Sequence, residues 1–506
     1  MNIQEAKEEI INTFRAYHRK DEEGRYRYPI SKQRPILLIG PPGIGKTAIM
    51  EQIAQECEIG LVAYTITHHT RQSAIGLPRI VEREYEGTTY SVTEYTMSEI
   101  IASVYECMEN QKKKEGILFL DEINCVSETL APTMLQFLQN KMFGTHKIPD
   151  GWMIVAAGNP IEYNKSVREF DIVTLDRVRS IEIETDCAIW LKYAQEAKVH
   201  GAVLSYLRLK PENFYRIENT VDGKFFVTAR GWEDLSELLK SYEELQIPAS
   251  ESQMAQFLQK EEIARDFSVY YRLYQKYGTD YEVDRILNTK EEEWEEKTAL
   301  LKKSGFEERF IFVNLLLEYL YGRFEEQEQT ETKLSKLYEL LSILKLQLKD
   351  TDGRSKIEDF VEKQRESLVV KEKMELLRGR ELSYQKSVVN TLERYLLFLK
   401  EYHIENGKLC FEEIKKLFLQ DTEKNDSIIE KTKKELELAF EVLEICFGNG
   451  QEMILFLTGL TEHKLASAFI SMVGCDAYFR YSEQLFQRRE EKKLQEECRK
   501  LLKWNQ

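Results

Sequence analysis

The sequence predicts an α/β P-loop core, in which a parallel sheet lies between helices, then a helical lid and an all-α C-terminal region. Three observations support this fold class. Short apolar runs alternate with helix-length segments over the first half of the chain. A glycine-rich loop follows the first of these runs. All ten prolines lie at or before Pro248, and because proline disrupts helix interiors, the proline-free remainder is expected to be helical.

The candidate strands are short, apolar and separated by helix-length segments, which is typical of a parallel sheet with crossover helices. They are residues 36–39, 61–67, 117–120, 153–157 and 181–183. We expect three domains: an α/β core over residues 1–185, a helical lid over 186–250 and an all-helical module over 251–506. Breaks at residues 350–353, 406–407 and 448–450 predict turns between packed helices of that module.

The acidic balance of the chain restricts its partners. A formal net charge of -16 opposes a general attraction to nucleic acid or anionic membranes. The eight cysteines are scattered without a CxxC pair, so we interpret them as reduced thiols. The N-terminus lacks the pattern of a secretory signal, and the apolar run 453–460 is far shorter than the ~20 residues that span a bilayer. We therefore expect a cytoplasmic protein without membrane insertion.

The loop after the first candidate strand matches the consensus GxxxxGK[ST] and opens a helix, which is the context of a phosphate-binding P-loop. Backbone N–H groups of such a loop surround a phosphate, so Lys46 is expected to reach the β and γ phosphates of ATP and Thr47 to bind Mg²⁺. A glycine-rich structural turn is the alternative. The residues of the motif are Gly40, Pro41, Pro42, Gly43, Ile44, Gly45, Lys46 and Thr47.

Polar residues end the third and fourth candidate strands. Asp121 is expected to hold hydrated Mg²⁺ and Glu122 to polarise the attacking water, although adjacent acids also occur in ordinary loops. Asn159 follows the next strand, and its amide is expected to position the water or to sense the γ-phosphate. The alternative for Asn159 is a simple turn residue.

These residues, taken with two later motifs, resemble the MoxR branch of AAA+ ATPases, which belongs to the helix-2-insert group. The resemblance covers the chain to about residue 245. Valine, alanine and cysteine at positions 178, 229 and 125 depart from the residues usual in that branch. The motifs that carry the resemblance are Asp121-Glu122-Ile123-Asn124, Asn159-Pro160, Leu175-Asp176-Arg177 and Thr228-Ala229-Arg230.

The resemblance implies roles for three arginines. Arg177 is favoured, ahead of Arg179, as the finger presented to the γ-phosphate of a neighbouring subunit; a surface charge or an intramolecular salt bridge is the alternative for either residue. Arg230 opens an amphipathic helix of the lid and resembles a sensor 2 residue that contacts the γ-phosphate in cis. An arginine at a helix N-terminus without a ligand is the alternative for Arg230.

The helix-2-insert group also implies two β-hairpins. Residues 78–93 alternate like a hairpin with Glu86-Gly87 at its turn. Residues 144–152 are expected to form the other hairpin, with Pro149-Asp150-Gly151 as its turn.

MoxR-like proteins form hexameric rings and usually partner a von Willebrand factor type A protein. The resemblance therefore implies a chaperone-like, ATP-hydrolysing homo-hexamer that remodels or helps assemble a protein client, with residues 251–506 as the partner-binding module. Two other classes of function stay open. One is a nucleic-acid-translocating motor of restriction or defence type, which needs a basic pore. The other is an ATP-gated scaffold with little hydrolysis.

Two smaller features have alternative interpretations. His68 and His69 follow a candidate strand, but no further ligand lies at metal spacing, so we interpret them as ordinary polar residues. Tyr26 and Tyr28 precede the P-loop strand, where they either contact an adenine base or pack in the core.

Overall fold

The fold divides into two compact units, Met1–Tyr270 and Tyr271–Gln506. The computed structural model describes residues 1–29, 32–68, 76–143, 145–163, 167, 170, 172–220, 223–281, 283–288, 301–348, 353–373 and 379–484.

A five-stranded parallel sheet forms the centre of the first unit, with the order β2-β5-β8-β1-β9. All five strands predicted from the sequence are present, so the predicted α/β fold class is confirmed. The strands of this unit are β1 (Ile36–Ile39), β2 (Gly60–Thr65), β3 (Pro78–Tyr85), β4 (Thr88–Tyr95), β5 (Gly116–Asp121), β6 (Met142–Phe143), β7 (His146–Lys147), β8 (Trp152–Gly158), β9 (Arg179–Glu182), β10 (Arg216–Thr220) and β11 (Gly223–Val227).

Helices cover both faces of this sheet. The helices of the first unit are α1 (Ile3–Tyr17), α2 (Lys46–Glu56), α3 (Glu99–Gln111), α4 (Ala131–Asn140), α5 (Ile172–Leu175), α6 (Cys187–Glu196), α7 (Gly201–Leu209), α8 (Ala229–Glu244), α9 (Glu251–Phe257) and α10 (Glu261–Tyr281), the last of which crosses the border between the units.

Alternation along the strands builds two separate apolar cores. Leu118 and Leu120 of β5 face a core shared with α3 and α4. Ile117 and Phe119 of the same strand face a core shared with α1 and α2. Because successive side chains point to opposite faces, a strand buried on both sides must be apolar over its buried length, as β5 is from Gly116 to Leu120. The carboxyl ends of β1, β5 and β8 consequently meet at one edge of the sheet, where the polar motifs begin.

The two predicted hairpins had different outcomes. β3 and β4 pair in antiparallel register with Tyr85 opposite Thr88, so Glu86-Gly87 is the two-residue turn that the sequence predicts. Both turn residues have positive φ, at 51° and 78°, as a tight hairpin turn requires. The prediction for residues 144–152 was wrong in register. The paired strands are β6 and β7, and Pro149-Asp150-Gly151 instead turns the chain into β8, where the N–H of Trp152 donates to the carbonyl of Pro149.

The region after β9 combines helices with a hairpin, β10–β11, that the sequence did not predict. Residues 251–270, assigned from the sequence to the last module, lie in the first unit. The ring of Phe267 lies 5.2 Å from that of Trp232 on α8, and Tyr206 donates a 2.7 Å hydrogen bond to Asp266. The predicted domain limits at 185 and 250 stay predictions.

Long helices dominate the described part of the second unit. They are α11 (Val283–Asn288), α12 (Phe306–Gln347), α13 (Gly353–Lys373), α14 (Gly379–Glu401), α15 (Gly407–Phe447), α16 (Gln451–Glu462) and α17 (Lys464–Val473). The predicted turns at 406–407 and 448–450 are confirmed: Asn406 caps α15, and Gly448 ends that helix with φ 60°.

α12 and α15 each contribute to two apolar cores. One core includes Phe324 and Phe440, and the other includes Leu337 and Ile414. Along both helices, the segment between these cores carries buried polar side chains. They are Gln327, Asn425, Thr432 and Glu435.

No single helix among the described residues is both long and apolar enough to cross a membrane. The consecutive helices α16 and α17 meet the length and composition criteria as a pair, with a 91° bend between them. Their apolar side chains, such as Phe456 and Phe469, are buried in a core of the second unit.

Candidate functional site

The P-loop joins β1 to α2 at the carboxyl edge of the sheet. Gly43 and Gly45 have φ values of 72° and 90°, in the left-handed region that favours glycine. A Cβ at Gly40 would lie 3.0 Å from the Cβ of Ile183, so the loop passes too close to β9's end for a larger residue. The path of the loop therefore favours glycine at these positions.

Lys46 begins α2 and is only 8% exposed. Its Nζ donates to the carbonyl oxygens of Gly40 and Pro41 at 2.7 and 2.8 Å, and to Oδ1 of Asn159 at 2.9 Å. The pKa of Lys46 is lowered to about 8, mainly by burial; the carboxylate of Asp121 acts in the opposite direction, and the positive charge of Arg230 acts in the same direction as burial. The ammonium is thus buried on neutral oxygens, without a bonded carboxylate.

Asp121 ends β5 and accepts a 3.1 Å hydrogen bond from the hydroxyl of Thr47. A hydroxyl beside a carboxylate is an oxygen pair that suits Mg²⁺, which prefers oxygen ligands. Glu122 follows with φ 56°, and its N–H donates to the Asp121 carboxylate at 2.9 Å. This backbone conformation is uncommon for a residue with a side chain, and such strain concentrates at functional sites.

Thr67 is a site residue that the sequence analysis missed. Its hydroxyl donates to Oε2 of Glu122 at 3.1 Å. The relevant signal was topological: β2 pairs with β5 so that Thr65 lies opposite Asp121, which brings the residues just after β2 beside the two acids. Sequence alone does not reveal which strands are neighbours.

Asn159 is held by Asn124 through two hydrogen bonds. The amide of Asn124 donates to the carbonyl of Asn159 at 2.8 Å, and its Oδ1 accepts from the Asn159 N–H at 3.3 Å. Asn124 is only 6% exposed, and a Cβ at Gly158 would lie 2.6 Å from its Oδ1. Asn124 therefore fixes the backbone from which Asn159 reaches Lys46.

The start of α8 contacts the P-loop. The backbone N–H of Arg230 donates to the carbonyl of Gly43 at 3.3 Å, while Thr228 caps the helix by accepting from Gly231. Tyr215, which the sequence analysis did not single out, donates from its hydroxyl to the carbonyl of Pro42 at 2.9 Å. Arg230 thus sits beside the loop with its side chain exposed.

The two remaining arginines have different surroundings. Arg177 is exposed and donates to Oε1 of Gln139 on α4. Arg179 lies on β9 and is bound to α1, through the carboxylate of Glu9 and, at 2.6 Å, the hydroxyl of Thr13. Within the described residues, neither arginine side chain is hydrogen-bonded to Lys46 or to the residues that its ammonium contacts.

The structure does not bring Tyr26 to this edge of the sheet. The Tyr26 hydroxyl donates to Glu115, the residue before β5, at 3.1 Å, and lies near Gly151, just before β8. The six residues of β5, about 20 Å long, separate this amino-terminal end of the strand from Asp121. Tyr26 therefore packs against the protein at the far end of the sheet and does not lie where an adenine base would contact it. The ring of Tyr28 is tilted by 40° against that of Tyr17, with 4.8 Å between the ring centroids. His69 and the side chain of His68 lie outside the described residues, in which no cluster with metal-ligand geometry occurs.

The residues present fit a nucleoside triphosphate with Mg²⁺. A buried lysine, a crowded glycine loop at the start of a helix, and a hydroxyl–carboxylate pair converge within hydrogen-bond distance. Glycine loops and helix N-termini of this kind bind anions through backbone N–H groups. The lysine ammonium and the N–H groups of the loop thus suit phosphate, and the oxygens of Thr47 and Asp121 suit the magnesium ion that accompanies it.

Residues 36–175 match a protein family described as AAA, the ATPase family associated with various cellular activities. Among solved structures, the chain is similar to one described as "a putative ATPase" from Cytophaga hutchinsonii, with 14% identity and a TM-score of 0.24. The match covers 39% of this chain and 51% of that one, so the chain spans about half the length of that structure. The family match contains the P-loop, both acids and Asn159, and this chain therefore carries an AAA ATPase domain.

Proposed function

We propose that this protein is a MoxR-like ring ATPase that hydrolyses ATP to remodel or assemble a partner protein. The observation that carries the proposal is the convergence of Lys46, Asn159 and the two acids after β5 at one sheet edge. The bond from Thr67 to Glu122 supports it further, because a general base must be oriented as well as present.

Each residue of this site has a physical role in the proposal. Bound Mg²⁺·ATP supplies the phosphoryl group and an ion that neutralises its charge. Lys46 stabilises the phosphate oxygens, and Thr47 with Asp121 holds the ion. Glu122 accepts hydrogen bonds from water and orients it for attack on the γ-phosphate. Asn159 is held in place by Asn124, and its side-chain amide lies beside the ammonium of Lys46, where it can position the water or contact the γ-phosphate.

Two substitutions separate binding from turnover. Lys46→Ala is expected to abolish nucleotide binding, whereas Glu122→Gln is expected to keep binding and to stop hydrolysis, because it alters only the group that acts on water. Glu84→Gln on the exposed strand β3 is the matched control. The measurements are ATP affinity and phosphate release. Hydrolysis by Glu122→Gln at the parental rate would show that another residue orients the water.

The active site is proposed to be shared between subunits of a homo-hexamer, with Arg177 serving the neighbour's nucleotide. Arg179 is bound by Glu9 and Thr13 of its own chain, which favours the exposed Arg177 for this role. A finger in trans is worth about 10³–10⁵ in rate in related NTPases. Mixing inactive Arg177→Ala with inactive Lys46→Ala should restore some hydrolysis. No recovery in rings shown by mass photometry to be mixed would exclude this assignment.

The helical second unit is proposed to bind the partner, for which a von Willebrand factor type A protein is the candidate. Its long amphipathic helices lie outside the span of the family match, and the proposed phosphate-binding residues lie in the first unit. Pull-down with a co-encoded partner, and ATPase rates with and without that partner or DNA, test this division. Stimulation by DNA alone would favour a nucleic-acid motor instead.

A further inference from the structure

A cleft of about 590 Å³ lies in the second unit, and none of the residues that line it belongs to the proposed ATPase site. Its walls are formed by α12 and α14, and the only apolar side chain among the residues that line it is Leu382. Small-molecule sites have volumes of about 300–1,000 Å³ and are mostly apolar. This cleft has a suitable size, and seven of the eight residues that line it are polar or charged, so it offers a ligand hydrogen-bond donors and cations.

Two columns of hydrogen-bonding residues along α14 form one wall. Ser383, Ser387 and Thr391 follow one another at intervals of four, which places them on one face of the helix. Lys386, Asn390 and Arg394 form a parallel column, also at intervals of four. The helix therefore presents the hydroxyls of Ser383 and Ser387 beside cations, whereas Thr391 is buried and its hydroxyl donates to the carbonyl of Ser387 at 2.9 Å.

Lys333 of α12 faces these columns from the opposite wall. Within the described residues, its ammonium forms no hydrogen bond or ion pair. Burial lowers the pKa of Lys333, and nearby Arg394 lowers it further, although Asp421 acts in the opposite direction. A half-buried cation facing other cations gains from a bound anion, because an anion offsets both the desolvation and the repulsion.

The charge around the cleft is positive in an acidic protein. Lys386 pairs with Glu372 at 2.7 Å, and Arg394 pairs with Asp421, to which Lys424 also bonds at 3.3 Å. These four cations, with Lys333 included, share two carboxylates. The chain as a whole has a net charge of -16, so this small excess of cations differs from the overall balance.

We propose that this cleft binds a small, multiply phosphorylated molecule without an aromatic or apolar moiety, such as a sugar or polyol phosphate. Ammonium, guanidinium, hydroxyl and amide groups all donate to phosphate oxygens, and those to charged partners are the stronger hydrogen bonds. None of the described residues that line the cleft is aromatic, so they offer no ring on which a base would stack. Hydroxyls of a polyol would be matched by Asn390 and the serines.

Isothermal titration of the full-length protein tests the proposal, with the chain first saturated with ADP so that the P-loop is occupied. The probes are tripolyphosphate, inositol hexakisphosphate and, as a carboxylate anion, citrate. Lys333→Gln should weaken binding of both phosphate probes by about tenfold, the effect of one hydrogen bond between charged groups. Lys336→Gln, which removes the same charge one turn away on the exposed pair with Glu339, should change affinity less than twofold.

Binding of either phosphate probe that is weakened by Lys333→Gln supports the site. Tighter binding of tripolyphosphate would identify bare phosphate as the better mimic of the ligand, and tighter binding of inositol hexakisphosphate would identify a polyol phosphate. Absence of binding by both, equal affinity in Lys333→Gln and the parent, or equally tight binding of citrate would each overturn the proposal. Circular dichroism checks that both variants are folded. The test compares the affinities of the Lys333→Gln and Lys336→Gln variants with that of the parent. This comparison therefore distinguishes the cleft from the P-loop even if ADP does not bind.

Discussion

Nucleotide binding should become weaker as the pH rises from 7 to 9, because the lysine of the P-loop is buried. Burial lowers the pKa of Lys46 to about 8 from its usual 10.5. Phosphate charge beside the ammonium favours its protonated form, so the bound state is expected to restore the ordinary pKa. The protonated lysine is then the form that binds, and its population in the free protein sets the apparent affinity.

The size of the effect follows from this pKa. With a pKa of about 8, about 90% of the free protein carries the ammonium at pH 7 and about 10% at pH 9, so affinity should fall about tenfold. At pH 8.5 about a quarter is protonated, and binding should take up about 0.75 proton. At pH 7 the uptake should be about 0.1 proton. The phosphates are fully ionised at pH 8.5, because their second pKa is about 6, whereas at pH 7 about a tenth of them still carry a proton. The uptake at pH 8.5 is therefore the diagnostic value.

The assay is calorimetric titration with Mg²⁺·ADP in pairs of buffers that differ in ionisation enthalpy, at pH 7.0 and 8.5. Lys141 is the necessary control, because burial lowers its pKa to about 8 as well. Its ammonium bonds Gln33 at 3.1 Å, and it is not part of the P-loop cluster. Lys141→Met should therefore keep the proton uptake. Two results would refute the idea that phosphate restores the ordinary pKa of the buried lysine. One is a proton uptake below about 0.2 at pH 8.5, and the other is an affinity that does not change over this pH range.

Three further predictions follow from individual contacts. Thr67→Val should lower kcat about tenfold and change nucleotide affinity less than twofold, because the Glu122 carboxylate loses one hydrogen bond that orients it. Thr67→Ser keeps the hydroxyl and should restore the rate. A chain ending at residue 248 should be less stable by several kcal/mol than one ending at residue 288, measured by urea unfolding, because it loses the buried ring of Phe267. Thr432→Val should raise the free energy of unfolding by about 1 kcal/mol.

The sequence predicted that these polar motifs meet at one edge of the sheet, because their residues follow strands. Each polar motif comes directly after an apolar run, and parallel strands end at the same edge, so the P-loop, Asp121 and Asn159 had to converge. Thr67 and Tyr215 were missed for the converse reason. Their contacts with Glu122 and Pro42 depend on which segments become neighbours, and no local pattern encodes that.

The position of a turn and the packing of helices were harder to predict than the strands. Pro149-Asp150-Gly151 is a turn sequence and does form a turn, but pairing of β6 with β7 fixes the hairpin six residues earlier than its composition suggests. In the same way, the absence of proline after Pro248 predicted helices correctly. It could not reveal that the first of those helices complete the apolar core beneath Trp232.

The buried polar layer in α12 and α15 explains why Thr432→Val should stabilise the protein. Thr432 is fully buried, and its hydroxyl has no hydrogen-bond partner within the described structure. Valine has nearly the same shape, so the substitution removes an unsatisfied donor without opening a cavity. Thr422 on the same helix is the matched control, because its hydroxyl donates to the carbonyl of Phe418 at 3.0 Å. Thr422→Val should give no comparable gain. A loss of stability in Thr432→Val would mean that its hydroxyl is satisfied in solution, by water or by a rotated neighbour, and that the layer is a hydrogen-bonded network.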